Sequence, residues 1–243
     1  MRDAIRSEIL KARSGFWMLA VFAYALLMPA LLLANAPKST VDTSAVDAAT
    51  GTHLLLGFLA SCPVAAMFLG CWLVTREYYY KSVVRTVLAN RRADVYLGKL
   101  IAGAAGGLAV GIVGAAGWAV IVTLVLRADT RSFVMDARTW QMLAGCVVAC
   151  ALAGPWGVAV GWIVPNYYVG TGIAILLPLG VELPLLLNYP DVARFLPATA
   201  LAGIIRTPID GVLPPVLGVL VYLPVLAAAS WLGWVLFRRR EVA

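Results

Sequence analysis

Few side chains in this sequence could do chemistry, and Glu182 is the most conspicuous of them. It lies in the apolar stretch LLPLGVELPLLL, between Pro178 and Pro184. A charge at the centre of a bilayer costs about 2.5–3.5 kcal/mol on insertion scales, so such an acid faces a cavity, a partner helix or the membrane rim, or is protonated. Two interpretations stay open. Either Glu182 lines a substrate path or a subunit seam, or it is a carboxylate near the interface that the two prolines bring close to water.

Other catalytic and metal-binding patterns are missing. Cys146 and Cys150 would share one helix face, which could suit a soft metal, but small buried hydrophobic residues explain the spacing as well. The one Gly-Lys pair, Gly98-Lys99, has Ala93 where a phosphate-binding loop needs glycine. The sequence contains neither Gly-x-Ser-x-Gly nor His-Glu-x-x-His. We therefore predict no catalytic residue, no metal site, no cofactor and no enzymatic activity on this chain.

The basic segment 76–99, REYYYKSVVRTVLANRRADVYLGK, is the most informative stretch. Its basic residues are Arg76, Lys81, Arg85, Arg91, Arg92 and Lys99. Apolar residues recur within it at helical spacing, which predicts a short helix over Ser82 to Leu88. The apolar positions, expected to be exposed to the cytosol, are Val83, Val84, Val87 and Leu88.

An exposed apolar patch of this kind usually marks a binding surface. Arg85, Arg91 and Arg92 beside it could pair with acids on a partner protein. The alternative is a helix that lies on lipid headgroups, with its arginines on phosphates.

The elements that position these residues are membrane helices. The sequence is 62% hydrophobic and 13% charged, against about 45–50% and 25% for soluble domains. Six apolar runs approach or exceed the roughly 20 residues that cross a bilayer. They are 16–34, 54–75, 99–126, 141–163, 168–187 and 213–237. We predict an all-α integral membrane protein with a single transmembrane domain, 1–243.

Three further elements are expected around these spans. Residues 1–15 fit an amphipathic interfacial helix, or a merely positive flank. Residues 188–213, rich in proline, predict one or two short helices in the outer leaflet, acting as a folded gate or a partly buried connector. Rows of glycine at four-residue spacing predict close helix packing within spans three and four. These rows are Gly103, Gly107 and Gly111, and Gly157 and Gly161.

The distribution of basic residues predicts the orientation. Most Lys and Arg residues fall on one side of the spans, with the segment 76–99. Because cytoplasmic loops collect Lys and Arg, both termini are expected in the cytoplasm of a multi-pass protein of the inner (plasma) membrane. The net charge of +7 is explained by this orientation, and we expect no nucleic-acid partner.

The order of these parts resembles a known family. Span two ends in Arg76-Glu77-Tyr78, a basic helix-like loop closes with Gly98-Lys99 at the start of span three, and a proline-marked segment separates spans five and six. The opening SEILKARSGFW is also similar to the family's usual start. On these features the chain resembles the six-span permease subunits of type-2 ATP-binding-cassette (ABC) transporters.

The resemblance implies roles for particular residues. Glu77 matches the family's acid at the inner end of span two, Ser82 to Leu88 match its coupling helix, and Lys99 matches the basic residue that begins span three. The ATPase-docking residues implied are Glu77, Ser82, Val83, Val84, Arg85, Val87, Leu88, Arg91, Arg92 and Lys99. The chain departs from the family at Lys81, where glycine is frequent, and at Asn90 and Arg91, where proline is frequent.

The function implied is that of a permease subunit of an ATP-driven exporter of an amphipathic or lipid-like compound. The expected partners are an ABC ATPase subunit that carries ATP and Mg, a second copy or a related permease forming a dimer, and membrane lipids. The alternative is a six-span membrane substrate-binding component of an importer, which needs a pocket within one chain. A membrane enzyme is disfavoured because the nucleophile, base and metal sets are missing.

Overall fold

The computed structural model describes residues 17–37 and 46–240, and these residues form helices joined by short connections. Within these described residues, six helical segments are long and apolar enough to cross a membrane, which confirms the six-span all-α class. Spans one to six are Trp17–Asn35, Ala48–Tyr79, Arg92–Ala128, Ala137–Ile163, Tyr167–Asn188 and Pro215–Arg239. The interfacial helix predicted over residues 1–15 lies outside the described residues.

The helices within these spans are numbered in chain order. Spans one, three, four and six are single helices, whereas span two is interrupted by a 3₁₀ turn, Gly57–Ser61, and span five by a π-helical turn, Leu177–Glu182. They are α1 (Trp17–Asn35), α2 (Ala48–Leu56), α3 (Cys62–Tyr79), α4 (Val83–Ala89), α5 (Arg92–Ala128), α6 (Ala137–Ile163), α7 (Tyr167–Leu176), α8 (Leu183–Asn188), α9 (Pro190–Ala193), α10 (Pro197–Ile205) and α11 (Pro215–Arg239). We call the two ends of the bundle the α4 end and the α10 end.

Two span boundaries differ from the predicted ones more than the others do. Span two begins at Ala48 rather than 54, because the Asp47 carboxylate accepts a hydrogen bond from the amide of Thr50 and caps the helix. Span three begins at Arg92 rather than 99, since the polar residues before Lys99 continue the helix without a break. Hydropathy marks only the apolar part of a helix, so the sequence underestimated both lengths.

Glycines bring spans two, three and four into close contact, as predicted. A Cβ atom added at Gly107 would lie 2.1 Å from the carbonyl oxygen of Cys150, and one at Gly157 would lie 2.0 Å from that of Met67. Gly154 is equally constrained, 2.0 Å from the Gly103 carbonyl oxygen. Backbones this close leave no room for any side chain, so this glycine seam fixes how the three central helices cross.

The segment between spans five and six folds into two short helices, in agreement with the prediction. Both α9 and α10 begin with a proline in the first turn, where the missing amide hydrogen is not needed. Helix α10 ends at Arg206, whose φ of 62° is left-handed. It packs closely on spans four and six, because Cβ atoms added at Gly145 and Gly218 would meet its backbone at 2.5 and 2.7 Å.

Candidate functional site

A buried ion pair joins the ends of spans two and three at the α4 end. Lys99 Nζ lies 3.0 Å from Glu77 Oε1 and donates a hydrogen bond of 2.9 Å to the backbone carbonyl of Leu73. The lysine side chain is only 1% exposed. The sequence singled out both residues but did not predict that they pair. Since α4 lies between them in the chain, the pair closes a loop that carries α4 as its exposed part.

The turn that follows Glu77 sets the direction of α4. The amide of Ser82 donates to the Glu77 carbonyl oxygen at 2.9 Å, the six-to-one hydrogen bond of a Schellman cap. That cap requires a left-handed residue just before Ser82, and Lys81 has a φ of 52°. Glycine adopts this conformation without penalty. Lys81 is therefore held in an unfavourable backbone conformation. In the family that the sequence resembles, this position often has glycine.

The apolar residues of α4 are not all exposed, which corrects the prediction for this helix. Val83 is buried, and Val87 packs against an aromatic cluster that includes Tyr96 and Phe237. Leu88, by contrast, is 82% exposed. The predicted patch therefore divides into an anchoring side that faces the bundle and a single prominent leucine that faces away from it.

The basic residues near α4 also divide into two groups. Arg85 and Arg91 are exposed. The Arg92 guanidinium instead donates to the backbone carbonyl of Arg238 at 2.8 Å and lies 5.9 Å from the centre of the Phe237 ring. Arg92 thus contributes to the end of span six, and of the three arginines expected to meet a partner it is the one most engaged within the chain.

A small cavity lies between α4 and the end of span two, with a volume of about 220 Å³. Its lining residues are Trp72, Leu73, Arg76, Glu77, Ser82, Arg85 and Thr86. The Arg76 guanidinium lies 4.7 Å from the centre of the Trp72 ring. The cavity therefore presents two guanidinium groups beside the buried ion pair, an arrangement suited to an acidic side chain from outside the bundle.

Four tyrosines form a second feature of the α4 end. The ring of Tyr79 lies 5.1 Å from Tyr80, 5.4 Å from Tyr167 and 6.2 Å from Tyr168, centre to centre. Three of the four are exposed, and they join the end of span two to the start of span five. Tyrosine favours membrane–water interfaces, where its ring is buried and its hydroxyl is hydrated. The sequence analysis did not assign them a role, although YYY at 78–80 and YY at 167–168 were visible signals.

Glu182 lies near the α10 end and has a partner that the sequence did not predict. Its Oε2 accepts hydrogen bonds from the backbone amides of Ala198, at 2.7 Å, and Thr199, at 3.4 Å. These amides belong to the first turn of α10, whose own N-cap position, Leu196, has no capping side chain. Glu182 therefore caps a helix that begins 15 residues further along the chain, and the side chain is 2% exposed.

The prolines of span five explain why Glu182 reaches α10. Pro178 and Pro184 cannot donate backbone hydrogen bonds, and the span widens between them into the π-helical turn that ends at Glu182. Such a turn re-aims the side chains that leave it.

Glu182 also borders an apolar cavity of about 450 Å³, which we call the α10 cavity. Its walls come from span one, span two, span five and α10. The lining residues are Leu32, Ala36, Pro37, Gly57, Phe58, Ala60, Ser61, Val64, Pro178, Leu179, Glu182, Leu183, Leu186, Leu187, Ala198, Thr199, Ala202 and Ile209. Glu182 is the one charged residue among them.

His53 and Asp136 form a further polar contact near the α10 end. His53 Nε2 lies 3.1 Å from Asp136 Oδ1, which also accepts a hydrogen bond of 2.7 Å from the amide of Thr139. This amide and the histidine together lower the pKa of Asp136 to about 2. Asp136 is the N-cap of span four, so the contact ties the start of span four to span two.

Neither a scan against protein-family models nor a search of curated proteins found a match to this chain. Within residues 17–37 and 46–240 there is no cluster of three potential metal ligands. The four cysteines are buried and unpaired by disulfides. The candidate site residues lie in two separate places, a basic surface around α4 and an apolar cavity with one acid near the α10 end.

Proposed function

We propose that this chain is the membrane-spanning permease subunit of an ABC transporter, and that a separate ATPase subunit docks on α4. The observation that carries the proposal is the closed loop at the α4 end. Leu88 projects from a helix whose two flanks are joined by the buried Glu77–Lys99 pair. A force applied to α4 would reach spans two and three together, which is what a coupling element has to do.

The charges around α4 support a protein partner that carries acids. Arg85 and Arg91 are exposed, and Arg85 also borders the small cavity beside the ion pair. An apolar anchor ringed by arginines is typical of protein interfaces. In the proposed orientation this end faces the cytoplasm, and ATP and Mg are bound by the partner.

The outer faces of the bundle support a dimer of permeases surrounded by lipid. In the most apolar 18-residue stretch of spans one and six, only 17% of the residues are buried, against 78% in span two. Large side chains such as Trp17 and Trp231 are exposed on them. Two copies, or this chain with a related permease, would cover part of this surface and enclose a path between them. The proposed cargo is an amphipathic or lipid-like compound moving outward.

The substrate-binding component of an importer is the second candidate, and the α10 cavity favours it. Such a component needs a pocket within one chain, and the α10 cavity is formed by a single chain. A component of this kind would keep its ligand when purified alone. The two candidates therefore differ in whether the chain purified as a monomer retains a tightly bound small molecule.

The docking experiment uses the chain expressed together with an ATPase encoded beside it. Because Val83 is buried and Val87 is packed against the bundle, Leu88→Asp and Arg85→Glu are the substitutions least harmful to the fold. We expect each to weaken ATPase binding about tenfold or more, measured by co-purification and by the mass of the detergent-extracted complex. A two-plus-two assembly that hydrolyses ATP is the expected wild-type result.

Arg239→Glu is the matched control. Arg239 is exposed at the same end of the bundle, outside α4. If charge alone governs binding, this reversal will weaken the complex as much as Arg85→Glu does. Normal ATPase binding by both the Leu88→Asp and Arg85→Glu variants would refute the docking assignment.

A further inference from the structure

The α10 cavity has the size and lining of a site for a small amphipathic molecule. Its volume of about 450 Å³ falls within the usual range for ligand sites, about 300–1,000 Å³. Most of its lining residues are aliphatic, aromatic or proline. Binding sites of this type combine apolar walls with a few placed polar groups that fix the orientation of the ligand.

Among the described residues that line the cavity, one polar side chain is left to fix that orientation. Ser61 Oγ donates to the Phe58 carbonyl oxygen at 2.9 Å, and Thr199 Oγ1 bonds the carbonyl oxygens of Ala193 and Leu196. The hydroxyl hydrogens of both are therefore used within the chain. Glu182 differs from them, since Oε2 takes both amide hydrogen bonds and Oε1 makes none with any described residue.

The carboxylate of Glu182 lies at the N-terminus of α10. A carboxylate at a helix N-terminus is stabilised by the free amides and by the positive end of the helix dipole. Helix α10 supplies two such amides. No lysine, arginine or histidine is among the lining residues within 17–37 and 46–240. Among the described lining residues, Glu182 thus supplies the one acidic group, its Oε1 makes no hydrogen bond with a described residue, and no basic side chain lies beside it.

We infer that the α10 cavity binds an elongated apolar molecule with a single protonated amine, whose ammonium group donates to Glu182 Oε1. A charge-assisted hydrogen bond at an otherwise apolar site is strong because water does not compete for it. Anionic amphipaths would place a second negative charge beside Glu182 and are disfavoured. Only the use of this site in transport rests on the proposed function, because binding itself needs nothing beyond this chain.

Photolabelling of the purified full chain in lipid nanodiscs tests the inference. The probes are three diazirine-bearing molecules with the same alkyl chain, derived from dodecylamine, dodecanol and dodecanoic acid. We expect the amine to label peptides containing residues 57–64, 178–187 and 198–202, and excess dodecylamine to displace it. The amine should bind about tenfold or more tightly than the acid.

Three variants test whether the ammonium group of the probe contacts Glu182 within the α10 cavity. Glu182→Gln keeps an acceptor for α10 but loses the charge, so the amine should lose about tenfold in affinity while the alcohol is little changed. Ala60→Phe leaves Glu182 intact and fills the cavity, so both probes should lose binding. Asp191→Asn is the control, because it removes an exposed acid at the same end that does not line the cavity.

Three results would count against binding of the amine in the α10 cavity. Equal labelling by the amine and the acid would overturn the inference, as would amine labelling of Ala60→Phe at the wild-type level. Labelling of the exposed faces of spans one and six as strongly as the cavity would indicate ordinary partition into lipid, and would also overturn it. Since no ATPase is present, none of these results depends on whether a partner docks at α4.

Discussion

Glu77 and Glu182 are both buried acids at opposite ends of one bundle, but they are stabilised in different ways. Glu77 is paired with the cation of Lys99, which is itself buried. Glu182 is held by two backbone amides of α10, and none of the described residues that line its cavity is basic. The first arrangement closes a connection between two spans, whereas the second leaves an acceptor directed at a cavity. Glu77 thus joins two spans through an ion pair, whereas Glu182 is the proposed recognition group of the α10 cavity.

Disrupting the Glu77–Lys99 ion pair should have the largest effect on stability. Lys99→Met removes the cation and leaves the Glu77 carboxylate buried without it, which costs about 3–5 kcal/mol of stability. We expect this loss in the free energy of unfolding, measured by raising the fraction of sodium dodecyl sulfate in mixed micelles. The double variant Glu77→Gln/Lys99→Met should recover most of the loss, because no uncompensated charge remains. Equal losses for the single and double variants would show that packing of the lysine, and not the ion pair, holds the two spans.

Removing the acid at the other end should have a smaller and more local effect. Glu182→Ala leaves the first amides of α10 without a capping acceptor, at a cost of about 0.5–2 kcal/mol. Because the affected bonds all belong to α10, we expect faster amide hydrogen exchange over residues 197–205 and unchanged exchange at the α4 end. Unchanged protection of α10 would mean that its close packing on spans four and six, rather than Glu182, determines where it begins.

The left-handed residue that follows Glu77 in the chain, Lys81, provides a further test at the α4 end. Lys81→Gly removes the penalty for a left-handed residue, about 1 kcal/mol, within the cap that follows Glu77. We expect a higher thermal denaturation temperature with ATPase binding unchanged. Asn90→Gly is a useful contrast, since Asn90 has an extended backbone that any residue adopts. A Lys81→Gly variant no more stable than wild type would show that the turn is not strained.

Acid titration provides the smallest expected effect and involves a third carboxylate. The folded-state pKa of Asp136, about 2, lies below its ordinary value, so its contribution to stability is complete above that ordinary value and is lost as pH falls toward 2. We expect wild-type thermal stability to fall over this window by more than that of Asp136→Asn. Parallel curves for the two proteins would contradict the capping role. Because Asp136 is exposed to solvent, the difference should be modest.

The sequence predicted the spans and the glycine seam because both depend on local composition. Apolar runs determine where helices can cross a membrane, and four-residue glycine spacing predicts one flat helix face whatever its partner. The partners themselves were not predictable. Gly154, which meets Gly103, was missed since it lies outside the regular rows.

The sequence singled out individual site residues but not the residues that they contact. Glu77 and Lys99 were both selected, yet their pairing depends on how spans two and three cross. The predicted exposure of Val83 was wrong, since Val83 is buried. Val87 is half-buried against a cluster that includes Phe237, a residue from the far end of the sequence. Glu182 was recognised as unusual, but a cap on a helix that begins 15 residues later requires the folded chain.

The length of span three has a consequence for lipid composition. Its 37 residues extend about 55 Å, well beyond the roughly 30 Å of a hydrocarbon core. The segment from Arg92 to Lys99 alone spans about 10 Å between α4 and the Glu77–Lys99 pair. A bilayer that is thicker or thinner can be matched by tilting the whole bundle, at a modest cost in hydrophobic mismatch. The spacing between α4 and the ion pair is set by a continuous helix, so it should stay constant as the membrane changes.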